Sequence, residues 1–282
     1  MAPARRFKNR LFSLICLVSI GIAGIALIYL LATIVLDGAP RLSAAFFTEF
    51  PSRLPARAGI KAALFGTIWV VSLSALIAVP VGVAAAIYLE ELAHHRNRFT
   101  DFIQLNISNL AGVPSIVYGL LGLALFVRWL AFDRSILSGA LTMALLILPM
   151  IILVTQEALK TVPKSFRDGS LALGATKWQT VRKQVLPIAA PGIFTGIILA
   201  VSRAIGETAP LITIGAATAW FVPTKVSDGF TVLPIQIFDW SSRPQKGFHE
   251  NAAAAILVLL IALLMLNSIA IFLRARAQKR MI

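Results

Sequence analysis

Charge is the first thing this sequence lacks. Only 13% of its 282 residues are Asp, Glu, Lys or Arg, while 58% are hydrophobic. A soluble domain of this length would have too little polar surface to cover itself. Acidic residues are scarcer still, with 12 against 26 basic ones and a net charge of +14. One cysteine, Cys16, lies inside an apolar run, so no intramolecular disulfide can form and the redox compartment is left open. Three histidines, His94, His95 and His249, have no zinc-ligand spacing; His94-His95 reads as a solvated turn near Glu90 and Glu91. No Gly-x4-Gly-Lys-Ser/Thr occurs, so the chain has no P-loop to hold ATP phosphates. Ser72, Ser74, Ser115 and Ser202 sit in no Gly-x-Ser-x-Gly elbow, and no histidine falls in an apolar run to serve as their base, which argues against hydrolysis within a membrane. Low-complexity tracts and Gly/Ser linkers are absent too, so 1–282 reads as one domain.

What the sequence does have is long apolar runs. Leu11–Leu36 spans about 26 residues, enough to cross a hydrocarbon core of roughly 30 Å with some tilt and too long for a signal-peptide core, so it reads as a retained first span. A proline-punctuated connection follows over Asp37–Ile60. Further runs at about 61–89, 102–127, 136–155, 188–218 and 251–273 make six expected transmembrane helices and an all-α membrane protein. Segments 1–10, 90–101, 156–187 and 274–282 hold 16 Lys/Arg, while 37–60, 128–135 and 219–250 hold 8. The positive-inside rule therefore predicts that both termini and the 156–187 loop are cytoplasmic. It also explains the net charge without a nucleic-acid partner, and anionic lipid is the expected one. In the 219–250 loop, Trp220, Phe221, Trp240 and Phe248 are expected either to touch a partner or to anchor at the interface.

The one long polar stretch with helical punctuation runs from Glu157 to Pro187. Pro163 suits a helix start, Gly174 a helix stop, and Thr176 can cap a second helix to about Leu186, with Trp178, Val181 and Val185 on its apolar face. By itself such a hairpin could lie on the lipid surface or dock on a partner.

The fifth run contains Arg203 and Glu207. Arg203 lies roughly 22 Å of helix rise beyond Ile188, deep in a membrane. A charge there costs at least ~2.5–3.5 kcal/mol on insertion scales and usually faces a bundle interior or a water-filled path. The i,i+4 spacing lets the two pair. An arginine fork suits a tetrahedral oxyanion, but a structural ion pair has the same residues. The third run carries Asn106, Ser108, Asn109, Ser115 and Tyr118 around Gly112-Val113-Pro114, groups that either join helices or line a path. Pro80, Pro114, Pro149, Pro191 and Pro210 are expected to weaken or kink the spans.

Six spans with this loop before the fifth resemble the membrane permease subunits of ABC importers. Their loop reads Glu-Ala-Ala, three residues, Gly, nine residues, Ile, one residue, Leu-Pro. Asp168-Gly169-Ser170, Gly174 and Gln184-Val185-Leu186-Pro187 fill that spacing, with Asp for Glu, Gly-Ser for Ala-Ala and Gln for Ile. The stretch Arg203 to Leu211, reading Arg-Ala-Ile-Gly-Glu-Thr-Ala-Pro-Leu, is similar to the A-type permease subunit of the phosphate-specific (Pst) ABC importer.

The resemblance implies a type I ABC importer permease architecture in the bacterial inner membrane. It implies coupling to an ATPase through Arg167, Asp168, Gly169, Ser170, Gly174, Leu186 and Pro187, and a substrate pathway at Arg203, Glu207 and Thr208. It further implies a homologous C-type permease, two ATPase subunits and an extracytoplasmic phosphate-binding protein as partners. The chain itself would be non-catalytic and bind no cofactor or metal, with ATP-Mg held by the ATPase subunits. The alternatives are an ABC permease for another oxyanion and a proton-coupled secondary transporter, which would have no need of the 156–187 loop.

Overall fold

The computed structural model describes residues 3–93, 98–216 and 219–279; the His94-His95 turn lies outside them. Nearly every described residue belongs to a helix, and the extended pairing among them is an isolated bridge between Ser135 and Gly229. We label the helices α1 (Pro3–Gly38), α2 (Ala44–Thr48), α3 (Lys61–Leu92), α4 (Arg98–Ala111), α5 (Ser115–Trp129), α6 (Ile136–Lys160), α7 (Lys164–Ala172), α8 (Lys177–Gly206), α9 (Ala209–Ile214), α10 (Leu233–Ser241) and α11 (Lys246–Lys279). Five of them, α1, α3, α6, α8 and α11, are each long and apolar enough to cross a membrane.

Two of the six expected spans are not straight rods. The run expected at 102–127 is two helices, α4 and α5, meeting at 103°. Pro114 cannot donate a backbone N–H, and its ring crowds the carbonyl of Leu110, so α4 stops at Ala111 and the chain turns through Gly112 and Val113. The same chemistry cuts the run expected at 188–218. Pro210 crowds the carbonyl of Gly206, a weak helix former, and α8 ends there with Glu207 extended at φ −77°, ψ 128°. The chain resumes as α9, which closes on Gly215 at φ +89°.

At its other end α8 starts earlier than expected. The helix capped by Thr176 does not stop at Leu186 but runs unbroken into the membrane segment. A π-helical turn, Val181–Val185, immediately precedes Pro187 and re-spaces the hydrogen-bond ladder where the proline removes a donor. The polar loop and the fifth span therefore share one continuous helix.

Helix α6 is the hub, packed between α3 and α8 and touching both arms of the bent pair. Small residues set the spacing: a Cβ on Gly82 would come within 2.7 Å of the Ile151 side chain, and one on Gly196 within 2.6 Å of Val154. Such close approach raises dispersion contact where lipid offers no hydrophobic drive. Buried polar groups add cross-helix hydrogen bonds. The Thr67 hydroxyl accepts from the Leu233 amide at 2.9 Å, and Gln104 and Gln156 exchange amide bonds at 3.1 and 2.8 Å, joining α4 to α6.

One core lies at mid-bundle around Met143, Ile147, Ile151 and Ile214, one beside α2 and α10, and one beside the polar loop around Leu159, Val181 and Val185. By contrast α1 is exposed along nearly its whole apolar length. It meets the body at Gly38, packed on the backbone of Ala253–Ala254, and through Arg41, which donates to the Asn251 side chain at 2.7 Å.

Candidate functional site

The register of α6 against α8 gives the depth of Arg203. Gly192 of α8 faces Ala158 of α6, and Gly196 faces Val154, so the two helices run antiparallel and Arg203 comes level with Ile147. Arg203 and Ile147 indeed line one small cavity, together with Leu146 and Met150 of α6 and with Leu110, Val113 and Tyr118 of the bent pair. Because α6 spans Ile136–Lys160, that level is about halfway along it.

Arg203 donates from Nε to Glu207 Oε1 at 3.4 Å, a long bond. The spacing expectation of a pair on one helical face is altered in one respect: Glu207 stands just past the helix end on extended backbone. The arginine side chain remains 55% exposed and the glutamate 18%, so about half of the arginine is open on the outside of this chain while the carboxylate is mostly covered. Thr208 contributes through its backbone, its carbonyl accepting from the Ile212 amide at 3.0 Å as α9 begins; its side chain makes no cap. Beside this pair, the Tyr118 hydroxyl donates to the Leu110 carbonyl at 2.8 Å across the break of the bent span. A Cβ on Gly119 would meet Pro210 Cα at 2.7 Å, so α5 and α9 touch at the backbone. Two helix breaks and a mid-depth arginine thus converge, which sequence spacing alone did not reveal.

The second site is α7 with the start of α8. Gly174 takes φ +80°, the left-handed conformation that ends a helix, with open space where a Cβ would point. Thr176 forms a full capping box with Gln179, accepting from its amide at 3.2 Å while the Gln179 side chain accepts from the Thr176 amide at 2.9 Å. The Ser170 and Thr180 hydroxyls lie 2.9 Å apart and link the two helices. Between them is a cleft of about 570 Å³ lined by Phe166, Gly169, Ser170, Leu173, Gly174 and Lys183 among others. Asp168 and Gly169 are exposed, and Leu173 is 91% exposed. Trp178 is also exposed, unlike Val181 and Val185, so the apolar face expected of the second helix is narrower than its spacing suggested. Leu186 and Pro187 lie farther along, inside continuous α8.

Arg167, unlike Asp168 and Gly169, is not on the exposed surface. It points back into the chain: Nε donates to both oxygens of Glu91 at 3.2 and 3.0 Å, Nη2 to Glu91 Oε1 and to the Leu159 carbonyl at 3.0 Å, and Nη1 to the Val162 carbonyl at 2.7 Å. Glu91 is 7% exposed and Arg167 21%. The hydrogen bond to Glu91 holds the guanidinium still more firmly in its charged form. Glu91, read from sequence as part of a solvated turn, is the residue that sequence reasoning missed; nothing in its spacing to Arg167, 76 positions away, could have signalled the contact.

The aromatics of 219–250 divide. Trp240 and Phe248 are wholly buried beside Phe46, since α10 folds back onto α3 and α11, and neither is available to a partner. Trp220 and Phe221 are exposed. In the same segment the Asp228 carbonyl accepts from the Ile136 amide at 3.0 Å and the Val226 carbonyl from Leu137 at 2.9 Å, satisfying otherwise orphaned donors at the start of α6.

A helical membrane bundle with a bent third span, and a short helix projecting ahead of a long span that carries a mid-depth charge, defines a transporter's membrane subunit. Residues 78–282 match the model of the binding-protein-dependent transport system inner membrane component family, and the chain belongs to that family. Among its relatives, the "Probable ABC transporter permease protein YqgI" of Bacillus subtilis (strain 168) is 37% identical over 75% of this chain and 72% of its own length. The "Phosphate transport system permease protein PstA 1" of Mycobacterium tuberculosis (strain ATCC 25618 / H37Rv) is 33% identical over 98% of this chain and 90% of its own. A crystal structure of a bacterial ABC transporter involved in the import of the acidic polysaccharide alginate contains a chain that matches with a TM-score of 0.63, at 15% identity over 96% of this chain and 99% of that one. That likeness establishes the type I ABC importer permease fold.

Proposed function

We propose that this chain is one half of the translocation pathway of an ATP-driven inorganic phosphate importer in a bacterial inner membrane. The observation that carries the reading is Arg203, a half-exposed side chain level with Ile147. A charge at that depth needs water or a partner surface beside it. A homologous C-type permease packed against this face would enclose a path with the arginine on its wall, and the fork would hold a phosphate oxyanion through parallel N–H bonds. Glu207 orients the guanidinium and accepts a hydrogen bond from the O–H of a protonated phosphate, without taking the proton; Thr208 lies on the same wall. The relatives named for phosphate transport over nearly the whole chain support phosphate as the cargo.

The chain has no P-loop, so ATP-Mg is bound by two separate ATPase subunits and this subunit is non-catalytic. They dock on the exposed surface of α7 and α8 at Asp168, Gly169, Ser170 and Gly174, which places that end and both termini in the cytoplasm, in line with the basic-residue bias. An extracytoplasmic phosphate-binding protein delivers substrate at the opposite face, where Trp220 and Phe221 are exposed.

The test is uptake of labelled phosphate into proteoliposomes holding the complex purified through this chain, with and without ATP and binding protein. ATP-dependent uptake of phosphate and not sulfate is the expected result; sulfate uptake without phosphate uptake would reassign the cargo.

A further inference from the structure

The helix that faces the ATPases has almost no hold on the membrane bundle. None of the residues of α7 is buried, and the helix lies against the 177–185 stretch of α8. Among the described residues, the side-chain hydrogen bonds from α7 to α3 and the end of α6 come from Arg167. That side chain joins three elements at once: Glu91 at the π-helical end of α3, and the Leu159 and Val162 carbonyls where α6 ends, the Leu159 oxygen also accepting from the Val162 amide at 3.2 Å. The Glu91 side chain is mostly covered, so the charge-assisted fork is less screened than a surface pair and is orientation-dependent. It resists shear between α7 and α3 in a way an exposed ion pair would not. On either side of it the backbone is wound as a π turn, 88–92 in α3 and 181–185 in α8, the two places near the clasp where the helical ladder is already relaxed.

We infer that the Arg167–Glu91 pair is the positioning clasp through which displacement of α7 reaches α3 and α6, so that it transmits ATPase motion to the pathway without itself touching ATPase or substrate. This inference rests on the reading of the chain as an importer permease. Because α6 carries Ile147 beside Arg203 and runs on as one helix through Pro149, a shift delivered at Leu159 and Val162 has a continuous element along which to reach the level of the proposed path.

The test uses the complete complex in proteoliposomes with two conservative variants, Arg167→Lys, which keeps charge and loses the fork, and Glu91→Asp, which keeps charge and shortens the reach. ATP hydrolysis and phosphate uptake are measured on the same vesicles, each normalised to assembled complex. The expected result is hydrolysis within about two-fold of wild type and phosphate moved per ATP reduced by about ten-fold or more. An unchanged ratio, whether both rates hold or both fall together, overturns the proposal, and so does failure of both variants to assemble, since the pair then only holds the fold. Wild-type vesicles that hydrolyse ATP and move no phosphate would instead reject the importer reading, an outcome separate from any result with the variants.

Discussion

Arg203 carries its charge to the level of Ile147, and the two explanations for a residue there predict different mutants. A purely structural pair predicts that Arg203→Ala or Glu207→Ala leaves a lone charge in a low-dielectric bundle, at a cost of order 3–5 kcal/mol, and lowers protein levels, with the double variant recovering. The half-exposed guanidinium and its 3.4 Å bond argue for the other outcome. Both single variants and the double should accumulate near wild-type amounts and retain ATP hydrolysis, while phosphate uptake falls below about a tenth; Arg203→Lys should lose uptake too, because a single ammonium lacks the planar fork. Retained uptake in the double variant would sink the pathway role. Asp228 gives a pH prediction at the same scale. Backbone N–H bonds from Lys225 and Thr224 hold its carboxylate below the usual range. A depressed folded value stabilises the turn above the unfolded pKa of about 3.9, and that contribution is lost as pH falls through the folded value. Hydrogen exchange over 224–229, corrected for intrinsic rates, should rise only in that acid window, whereas Asp228→Ala should raise it already at neutral pH.

Helix ends do more for this protein than helix middles. Gly174 ends α7 in the left-handed region with open space around it, so a substitution there meets backbone strain and no steric clash. Gly174→Val should cost about 1–2 kcal/mol locally and misdirect the cap of α8. The measured consequence should be loss of ATPase subunits from the purified complex, with the permease still inserted. Gly119 is the opposite case, set by crowding against the Pro210 backbone. Gly119→Val must separate α5 from α9 and should lower thermal stability in detergent by an amount typical of overpacking, about 1–3 kcal/mol. Intact melting behaviour would mean that the two breaks do not bear on each other.

Across the whole molecule the distribution of basic residues predicts how the chain sits in the membrane. With Cys16 replaced by Ser, a cysteine at Ser165 should react only with reagents on the cytoplasmic side and one at Ser227 only with external reagents, if α1, α3, the α4–α5 pair, α6, α8 and α11 cross in alternation. The reverse labelling would overturn the topology. The exposed length of α1, tied down chiefly at Gly38 and Arg41, leaves its apolar surface to lipid or to a neighbouring subunit.

Composition and the run lengths were enough to indicate an all-helical membrane protein and to point to Gly174, Thr176 and Arg203, while the permease reading came from the resemblance carried by the loop and the Arg203–Leu211 stretch. Those features depend on local chemistry: hydrocarbon thickness sets span length, a left-handed cap calls for glycine, and an intramembrane charge is rare at any fold. Where the spans bend was half legible, because Pro114 and Pro210 announce a lost hydrogen bond but not whether a π turn will absorb it, as one does before Pro187. The partners of the functional side chains were not legible at all. Arg167 could meet Glu91 only because α7 folds back beneath the ends of α3 and α6, and Trp240 became core only because α10 packs on α3 and α11. Such contacts join residues far apart in the chain, and tertiary packing alone determines which polar group ends up facing which.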